Sequence, residues 1–227
     1  MTLQEFQDLV HTLYQGDTST PSSSAADWGT RTKLAEAAIR VWDSEEGVLW
    51  NELWKLNTDS QTQTTNGTDV TFNCYSDFRM PGGFVRLKRG SENDFYEVKK
   101  SEDIELYRGQ NVKICFFSGN KSGGFKLNFL TAPATGWTVE YPYYKDPTIP
   151  SVAADKFEMA DPMFAVEYTL SKLHELDGEG DRAGLALSKA QAVLRTMKVR
   201  NIITPWHQSN APKDMSMDLG QGGGFGQ

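Results

Sequence analysis

Three histidines are the residues best suited to acid–base chemistry or metal binding, and they stand far apart in the chain, at His11, His174 and His207. His174 is followed by a glutamate, but no second histidine stands four residues after it, so the helical zinc-protease pattern is absent. We therefore interpret all three histidines as solvated or edge positions rather than as ligands or general bases.

Three groups of neighbouring carboxylates could bind a metal or share a proton. They are Glu45 with Glu46, Glu102 with Asp103, and Asp177 with Glu179 and Asp181. Each group also lies where solvated helix faces, hairpin turns or helix caps favour acidic residues. Because no nucleophile, base and orienting group come together in the sequence, we predict that the chain is not an enzyme and holds no metal or cofactor.

The two cysteines, Cys74 and Cys115, lie in apolar runs with strand character, where buried and inert thiols are usual. Two cysteines are too few for a disulfide framework or a four-ligand zinc site. The glycine-rich loop at 118–124 lacks the Gly-Lys-Ser/Thr ending of a phosphate-binding loop. A hairpin turn explains its glycines, and we predict a turn there.

The composition predicts a folded protein of one large or two small domains. Of the 227 residues, 38% are hydrophobic and 23% are charged. No stretch approaches the roughly 18 apolar residues of a membrane span, and the acidic, amphipathic start differs from a signal peptide. We therefore expect neither a membrane protein nor an exported one, with a reducing cytoplasm as the default compartment.

The acidic charge is concentrated outside the middle of the chain. Residues 68–146 contain 11 Lys and Arg against 10 Asp and Glu, whereas the rest of the chain contains 12 against 20. The net charge is −7 and the isoelectric point is about 5.0. Since non-specific binding to nucleic acid depends on cations that displace counterions, a dedicated nucleic-acid binder is disfavoured.

Helical periodicity occurs at both ends of the chain and strand periodicity in the middle. A capping box at Thr2 and Glu5 begins a short helix that runs to Tyr14, and a second, longer helix is predicted from about residue 30 to 56. Short strands are predicted at 70–74, 83–88, 94–98, 103–107, 111–117, 125–130 and 137–144. Asp161 and Pro162 then begin a helix that ends near Gly178, and a last helix runs to about residue 200.

This order predicts an α+β fold. The two N-terminal helices and the C-terminal helical hairpin are expected to pack as one helical bundle, since a lone amphipathic helix cannot bury its apolar stripe. The bundle would comprise residues 1–66 and 148–203. An antiparallel β-sandwich or barrel at 67–147 would be inserted into it, and residues 204–227 would form an extended C-terminal arm.

Aromatic residues exceed what a small core requires. Six tryptophans occur, four of them near the second helix. Part of this area is expected in the core and part on a surface for a partner. We predict Trp28, Trp50, Tyr143 and Tyr144 as candidate contacts with another subunit or a partner.

The arm at 204–227 contains two prolines and ends in GQGGGFGQ, which cannot form regular structure. Ordering it costs on the order of 1–2 kcal/mol per residue in backbone freedom. Full burial of each large apolar side chain of this segment, called an anchor below, contributes about 1.5–3 kcal/mol of stabilising free energy. The anchors are Trp206, Met215, Met217, Leu219 and Phe225. The free energy gained by burying these side chains is smaller than the entropic cost of ordering the arm. The sequence therefore predicts an arm that becomes ordered by binding a partner.

The end of the β-region resembles a known family. Residues 129–140 read FLTAPATGWTVE and continue into YPYYKDP at 141–147. This strand, proline-containing turn, second strand and Tyr-Tyr-basic-x-Pro exit resemble the last part of the β-insertion in the head-to-tail adaptor (connector) proteins of tailed bacteriophages. Residues 149–201, with DPMF at 161–164 and RTMKVRN at 195–201, are similar to the closing helical hairpin of that family. The long glycine-rich ending departs from its shorter members.

The resemblance implies a structural protein of the virion neck, assembled in the host cytoplasm. Such adaptors form a ring, commonly of twelve copies, between the portal of the capsid and the tail. The ring extends the DNA channel, through which the genome passes without specific binding. The implied partners are other copies of the chain, the portal protein and a tail or neck protein, with no membrane. The five anchors of residues 204–227 are the implied portal-binding residues, and the acidic helical regions could line the channel.

A second interpretation is a carbohydrate- or receptor-binding β-sandwich of a tail tip or baseplate. In that case Trp137, Tyr141, Tyr143 and Tyr144 would form a sugar-binding platform. The order of the elements disfavours it, because helices on both sides of the β-region indicate one continuous fold with an insertion.

Overall fold

A computed structural model describes residues 1–59 and 62–203, which contain four α-helices and two β-sheets. The helices are α1 (Leu3–Gln15), α2 (Ala26–Asp43), α3 (Met163–Leu176) and α4 (Gly180–Ile203). The mixture of helices and sheets confirms the predicted α+β class. The predicted arm at 204–227 and its five anchors, Trp206, Met215, Met217, Leu219 and Phe225, lie outside the described residues, as does His207.

The first helix begins where its capping box predicts. The Glu5 amide donates to Thr2 Oγ1 at 3.2 Å, and the Thr2 amide donates to Glu5 Oε2 at 2.8 Å. Gly16, with φ of 71°, ends the helix in the left-handed conformation that glycine adopts without strain. One face of α1, with Leu3, Phe6 and Val10, is fully buried.

The second helix is shorter than the sequence predicts, since it ends at Asp43 rather than near residue 56. Gly47 has φ of 73° and turns the chain back on the helix. The indole of Trp50 then stacks on that of Trp42 at 5.2 Å and donates to the Trp42 carbonyl at 2.9 Å. The apolar residues after Gly47 therefore pack against α2 instead of extending it.

Ten strands form the two sheets of the described residues. They are β1 (Trp54–Leu56), β2 (Gln63–Thr64), β3 (Thr71–Asn73), β4 (Phe78–Pro81), β5 (Val85–Arg89), β6 (Glu92–Val98), β7 (Ile114–Asn120), β8 (Gly124–Phe129), β9 (Thr138–Glu140) and β10 (Pro142–Lys145). One sheet has the order β1-β10-β4, and the other has the order β2-β9-β5-β6-β7-β8-β3. A single residue, Tyr141, separates β9 in the larger sheet from β10 in the smaller one.

Two expectations for the β-region are wrong. The strand predicted at 103–107 is a 3-10 helix, Ser101–Tyr107, and the sheet is not wholly antiparallel because β6 pairs with β7 in parallel. The two differences have one cause. Parallel neighbours cannot be joined by a hairpin, so the chain between β6 and β7 must cross over, and the short helix lies in that crossover. The turn predicted at 118–124 is confirmed as the β7–β8 hairpin.

The described residues bury two separate hydrophobic clusters. One contains apolar residues of all four α-helices together with Trp50, Leu53, Tyr144, Phe157 and Met159. The other lies within the β-region and is built around Phe78, Leu127, Val139, Tyr141 and Tyr143. Strands β1 and β2 precede residue 67, yet they pair with β10 and β9.

Helix α3 lies at the centre of the helical packing, because α1, α2 and α4 all pack against it. Asp161 accepts a hydrogen bond from the Met163 amide at 3.1 Å and caps the start of α3, and Gly178 follows its end with φ of 77°. Helix α4 has 24 residues against 14 in α3. Its last turns therefore extend past α3 and meet the chain around residues 45–51.

Candidate interaction surfaces

The four aromatic residues predicted as interface contacts are buried within the chain itself. Trp28 and Trp50 belong to the helical cluster, and Tyr144 packs there as well. Tyr143 is fully buried in the cluster of the β-region, where its hydroxyl donates to Asp77 at 2.9 Å. Their assignment as interface residues is thus corrected: their area stabilises the subunit and is not available to a partner.

The proposed sugar platform has the same difficulty. Tyr141 and Tyr143 are fully buried, and Trp137 is the only one of the four with intermediate rather than low exposure. Burial also raises the pKa of the Tyr141 hydroxyl far above its ordinary value, with the neighbouring Cys74 adding to the shift. A platform that stacks on sugars needs exposed ring faces, which these residues do not provide.

The candidate acid–base residues are engaged in structural contacts. His174 Nδ1 lies 2.8 Å from Glu179 Oε2, and Glu179 also contacts Arg182 at 3.1 Å. Asp177 accepts a hydrogen bond from the Tyr14 hydroxyl, which raises the pKa of that tyrosine to about 12. The Tyr14–Asp177 hydrogen bond connects the α3–α4 turn to α1, and the contacts of Glu179 stabilise the turn itself. Within the described ranges, no cluster of His, Cys, Asp and Glu has an arrangement that could hold a metal ion.

Several of the remaining candidates also have neighbouring charges or are buried. Glu45 pairs with Lys198, and Glu102 lies 3.7 Å from Lys100 on the surface. His11 Nδ1 lies 3.2 Å from the buried guanidinium of Arg31. Both cysteines are free thiols, and burial raises the pKa of each to about 12. The expectation of inert thiols is in keeping with this environment, because the nucleophilic form of cysteine is the thiolate.

A buried asparagine, Asn57, forms hydrogen bonds to the chain where the two sheets meet. The sequence did not predict this role. Asn57 Nδ2 donates to the Val139 carbonyl at 2.9 Å, and Asn57 Oδ1 accepts from the Tyr141 amide at 2.8 Å. The Asn57 amide donates to the Tyr141 carbonyl at 3.1 Å. Asn57 therefore fixes the chain at the point where it crosses from β9 to β10. Its position in a polar run gave no signal of this role.

Helix α4 presents most of its circumference outward. Its buried residues, Ala186, Ala190 and Met197, follow a narrow seam together with the half-buried Ala183 and Val193, at alternating spacings of three and four. On the outer side, Leu185 is 61% exposed and Val199 is 55% exposed. Ala192 stands midway between them and is exposed too. These three residues repeat every seven positions, so they lie along one line of the outer face.

Two concave regions accompany this surface. A groove of about 370 Å³ lies between α2, α3 and α4, with Val41, Leu187 and Leu194 on its apolar side and Arg195 at its edge. A larger cleft of about 710 Å³ lies in the β-region between the 3-10 helix and β7, β8 and β3, lined by polar backbone and by Phe116 and Phe129. Neither contains a converging set of ionisable groups of the kind that catalytic sites use.

The C-terminal end of α4 is fastened to the start of the β-region. The Asn201 side chain accepts a hydrogen bond from the Asn51 amide at 2.9 Å and donates to the Leu49 carbonyl at 2.8 Å. The Asn51 side chain donates to the Asn201 carbonyl at 3.2 Å. Together with the Lys198–Glu45 ion pair, these contacts fix the last described turns of the chain.

The charges of the helical part are separated by element. Residues 1–30 contain Glu5, Asp8, Asp17 and Asp27 and no lysine or arginine. Residues 180–203, which form α4, contain five lysines and arginines and one aspartate. The last helix is therefore basic, whereas the segment that contains the first helix is acidic.

Comparisons with protein families and with curated proteins identify no relative. None of the described helices is both long and apolar enough to cross a bilayer. No protein-family profile matches the sequence, and a search of curated proteins finds no significant match. The functional conclusion must therefore come from the arrangement of the chain itself.

Proposed function

We propose that this chain is a structural adaptor of a bacteriophage virion neck. Copies of it would form a ring that joins the portal to the tail and extends the DNA channel. The proposal treats the helices of residues 1–66 and 148–203 as a bundle and 67–147 as the inserted β-domain, with β1 and β2 as the strands that lead into it. Residues 204–227 would be the arm that binds the portal. The resemblance of residues 129–201 to the connector proteins is its starting point.

One observation carries the proposal: the strands by which the chain enters and leaves the β-region are neighbours. β1 and β10 pair in antiparallel register, with Trp54 opposite Tyr144 and Leu56 opposite Pro142. An insertion that starts and ends at one place leaves its host fold continuous, and helices from both ends of the chain share one hydrophobic cluster here. This is the arrangement expected of a connector with a β-insertion.

The surface of the chain also supports a structural role, in which the protein binds other proteins, over a catalytic one. Asp177 and Glu45, two of the acid–base candidates described above, form contacts that hold elements together. Meanwhile α4 exposes apolar residues along its outer face, including Leu185 and Val199. Exposed apolar residues that repeat along a helix are typical of surfaces that pack against another protein.

The place of the arm supports its proposed role. Asn201 is fastened to Leu49 and Asn51, so residues 204–227 begin from a fixed point of the subunit. The arm carries Trp206, Met215, Met217, Leu219 and Phe225, which are the kinds of side chains that fill pockets of a partner. The carbohydrate-binding alternative is weaker, because the tyrosines it requires as a platform are buried.

The decisive experiment compares the full chain with a chain that ends at residue 203. Native mass spectrometry of each, with and without the portal of the phage that encodes it, gives the number of copies bound. We expect the full chain to be a monomer or weak oligomer alone and a ring on the portal, and the shortened chain to remain unattached. Circular dichroism should show the same helical signal in both.

A matched control separates the anchors from the mere length of the arm. Replacing Trp206, Leu219 and Phe225 by serine keeps the length but removes the apolar anchors, and it should abolish attachment as the deletion does. Replacing the polar residues Gln208, Ser209 and Asn210 by glycine should leave attachment unchanged. Attachment of the shortened chain at the level of the full chain would contradict the proposed role of the arm.

A further inference from the structure

The outer face of α4 and the outer face of α1 differ in charge and flank the same central helix. Helix α4 packs chiefly on α3, and α1 packs on α3 and α2. The two helices are therefore available to different neighbours. Segment 180–203 carries a net charge of +4, from five cations and one anion, whereas segment 1–30 carries −4, from four anions and no lysine or arginine.

On α4, the cations border the exposed apolar line of Leu185, Ala192 and Val199. Lys189 and Arg195 lie on either side of that line by helical geometry, and both are exposed. Neither forms an ion pair with a carboxylate of the described residues. An apolar line with charges on its flanks is the pattern by which one helix recognises another.

Helix α1 offers an acidic counterpart. Glu5, Asp8, Thr12 and Gln15 share its outer face by helical geometry; Glu5 and Gln15 are exposed, and Asp8 and Thr12 are half-buried. Asp17 follows the end of α1, and Asp27 lies in the first turn of α2, where it accepts a hydrogen bond from the Gln15 side chain at 3.4 Å. These two aspartates are 56% and 61% exposed. Each of these two aspartates has a cation or imidazole only at 3.5 Å or more, so both retain exposed oxygens.

We infer that the occupant of the α4 outer face is a second copy of this chain, which docks through the outer face of its α1. The argument for this partner is charge complementarity. Packing α4 against α4 would bring two basic surfaces together, and packing α1 against α1 would bring two acidic ones together. Only the pairing of unlike faces removes the repulsion.

The pairing of unlike faces has a geometric consequence. Each copy uses α4 for one neighbour and α1 for the other, so the contact is heterologous and repeats from copy to copy. Such a contact closes into a ring when the rotation per copy divides the circle. The inference thus rests on the proposed ring and names the two surfaces that would build it.

Charge reversal on one face at a time tests the inference. Variant A carries Lys189→Glu and Arg195→Glu, which lowers the net charge of segment 180–203 from +4 to 0 and places two carboxylates beside the apolar line of α4. Variant B carries Asp8→Lys and Gln15→Lys, which raises the net charge of segment 1–30 from −4 to −1 and places two cations on the outer face of α1. Sedimentation over a range of concentrations at about 50 mM salt, where screening is weak, should show self-association at least about tenfold weaker for A alone and for B alone than for the natural chain.

Mixing A with B supplies the strongest readout. The two carboxylates introduced on α4 of A then meet the two cations introduced on α1 of B, and the unaltered basic α4 of B meets the unaltered acidic α1 of A. We expect the mixture to regain the association of the natural chain, in alternating assemblies that contain even numbers of copies. Circular dichroism of A and B checks that both are folded. If one variant does not fold, the loss of association in the other variant still tests the inference.

A matched control reverses two exposed cations elsewhere. Lys88→Glu and Arg89→Glu at the end of β5 change the net charge as variant A does, and they should leave association unchanged. Association of A or B at the natural level, a mixture that associates no better than either variant, or a natural chain that stays monomeric at high concentration would each overturn the inference. Deleting residues 204–227 alters neither face, so a loss of portal attachment with intact association would concern the arm alone.

Discussion

Asn57 shows how one polar side chain can determine the junction of two sheets. Its amide group and its backbone together satisfy the polar groups of the chain at Val139 and Tyr141, where β9 gives way to β10. The residue is fully buried, so water cannot replace these hydrogen bonds if they are lost.

Replacing Asn57 by alanine should therefore destabilise the protein by about 1–3 kcal/mol, because buried donors and acceptors are left without partners. Urea unfolding followed by fluorescence measures the change. The exposed Asn93 in β6 provides the control, since its replacement by alanine should change the free energy of unfolding by less than about 0.5 kcal/mol. Equal effects at the two sites would contradict the role given to Asn57.

The thiol of Cys115 leads to a prediction about pH. Burial raises its pKa from 9.0 to about 12, so the folded protein keeps a proton that the unfolded chain loses between these values. The unfolded state then binds fewer protons, and the free energy of unfolding must fall as the pH rises from about 9 towards 12. Cys74 contributes in the same direction.

Alkylation measures this protection directly. In a Cys74→Ala variant, in which Cys115 is the remaining thiol, iodoacetamide at pH 9 should react with the folded protein at least about a hundredfold more slowly than with the urea-unfolded protein. Labelling at similar rates in the two states would show that Cys115 is accessible as a thiolate.

At the scale of elements, α4 should tolerate change on its outer face and not on its seam. Met197 is buried and Val199 is largely exposed two positions later. Met197→Ala should cost about 2–5 kcal/mol, as truncation in a packed core does. Val199→Ala should cost less than about 0.5 kcal/mol in the isolated chain. Thermal or urea unfolding of the two variants compares them, and a similar loss in both would mean that the outer face is packed within the subunit.

The β7–β8 hairpin depends on one glycine more than on another. Gly119 has φ of 96°, and a Cβ built there would lie 2.2 Å from the Gly124 carbonyl oxygen. Gly123 has room for a Cβ, with its nearest contact at 3.5 Å. Gly119→Ala should therefore lower the melting temperature by several degrees, whereas Gly123→Ala should have little effect. A calorimetric scan of both variants distinguishes them.

Local signals predicted the elements well where one signal was sufficient. The capping box of Thr2 and Glu5 gave the start of α1, and the glycines of 118–124 gave a hairpin. Prediction failed where contacts between residues distant in the sequence determine the local structure. The apolar residues after Gly47 fit a continued helix, but the stacking of Trp50 on Trp42 takes them elsewhere. The 103–107 segment alternates like a strand, and only the parallel pairing of β6 and β7 makes it a crossover.

The candidate interface was less predictable than the fold. Tyr143 and Tyr144 were expected on a surface because aromatic residues are frequent at interfaces, but the same property serves a core, and composition alone cannot distinguish the two. The charge contrast between α1 and α4 was present in the sequence. It acquired meaning only when the packing showed that both helices contact α3 while α4 packs chiefly on α3 and α1 also packs on α2.

At the scale of the whole molecule, the net charge of −7 bears on contact with DNA. We expect the purified chain not to retard duplex DNA in gels at about 150 mM salt, because too few cations are available to displace counterions. Once α4 is covered by a neighbour, the main basic helix is withdrawn as well. Retardation that disappears steeply with added salt would contradict the idea of a channel along which DNA slides.

The fastening of Asn201 to Leu49 and Asn51 also sets a geometric limit. From that attachment point, the 24 residues of 204–227 can span at most about 80 Å, which is the length of a fully extended chain. Any pocket that receives Phe225 must lie within this radius of the helix end. If the arm binds the portal as proposed, the distance between the two docked bodies can be checked against this length.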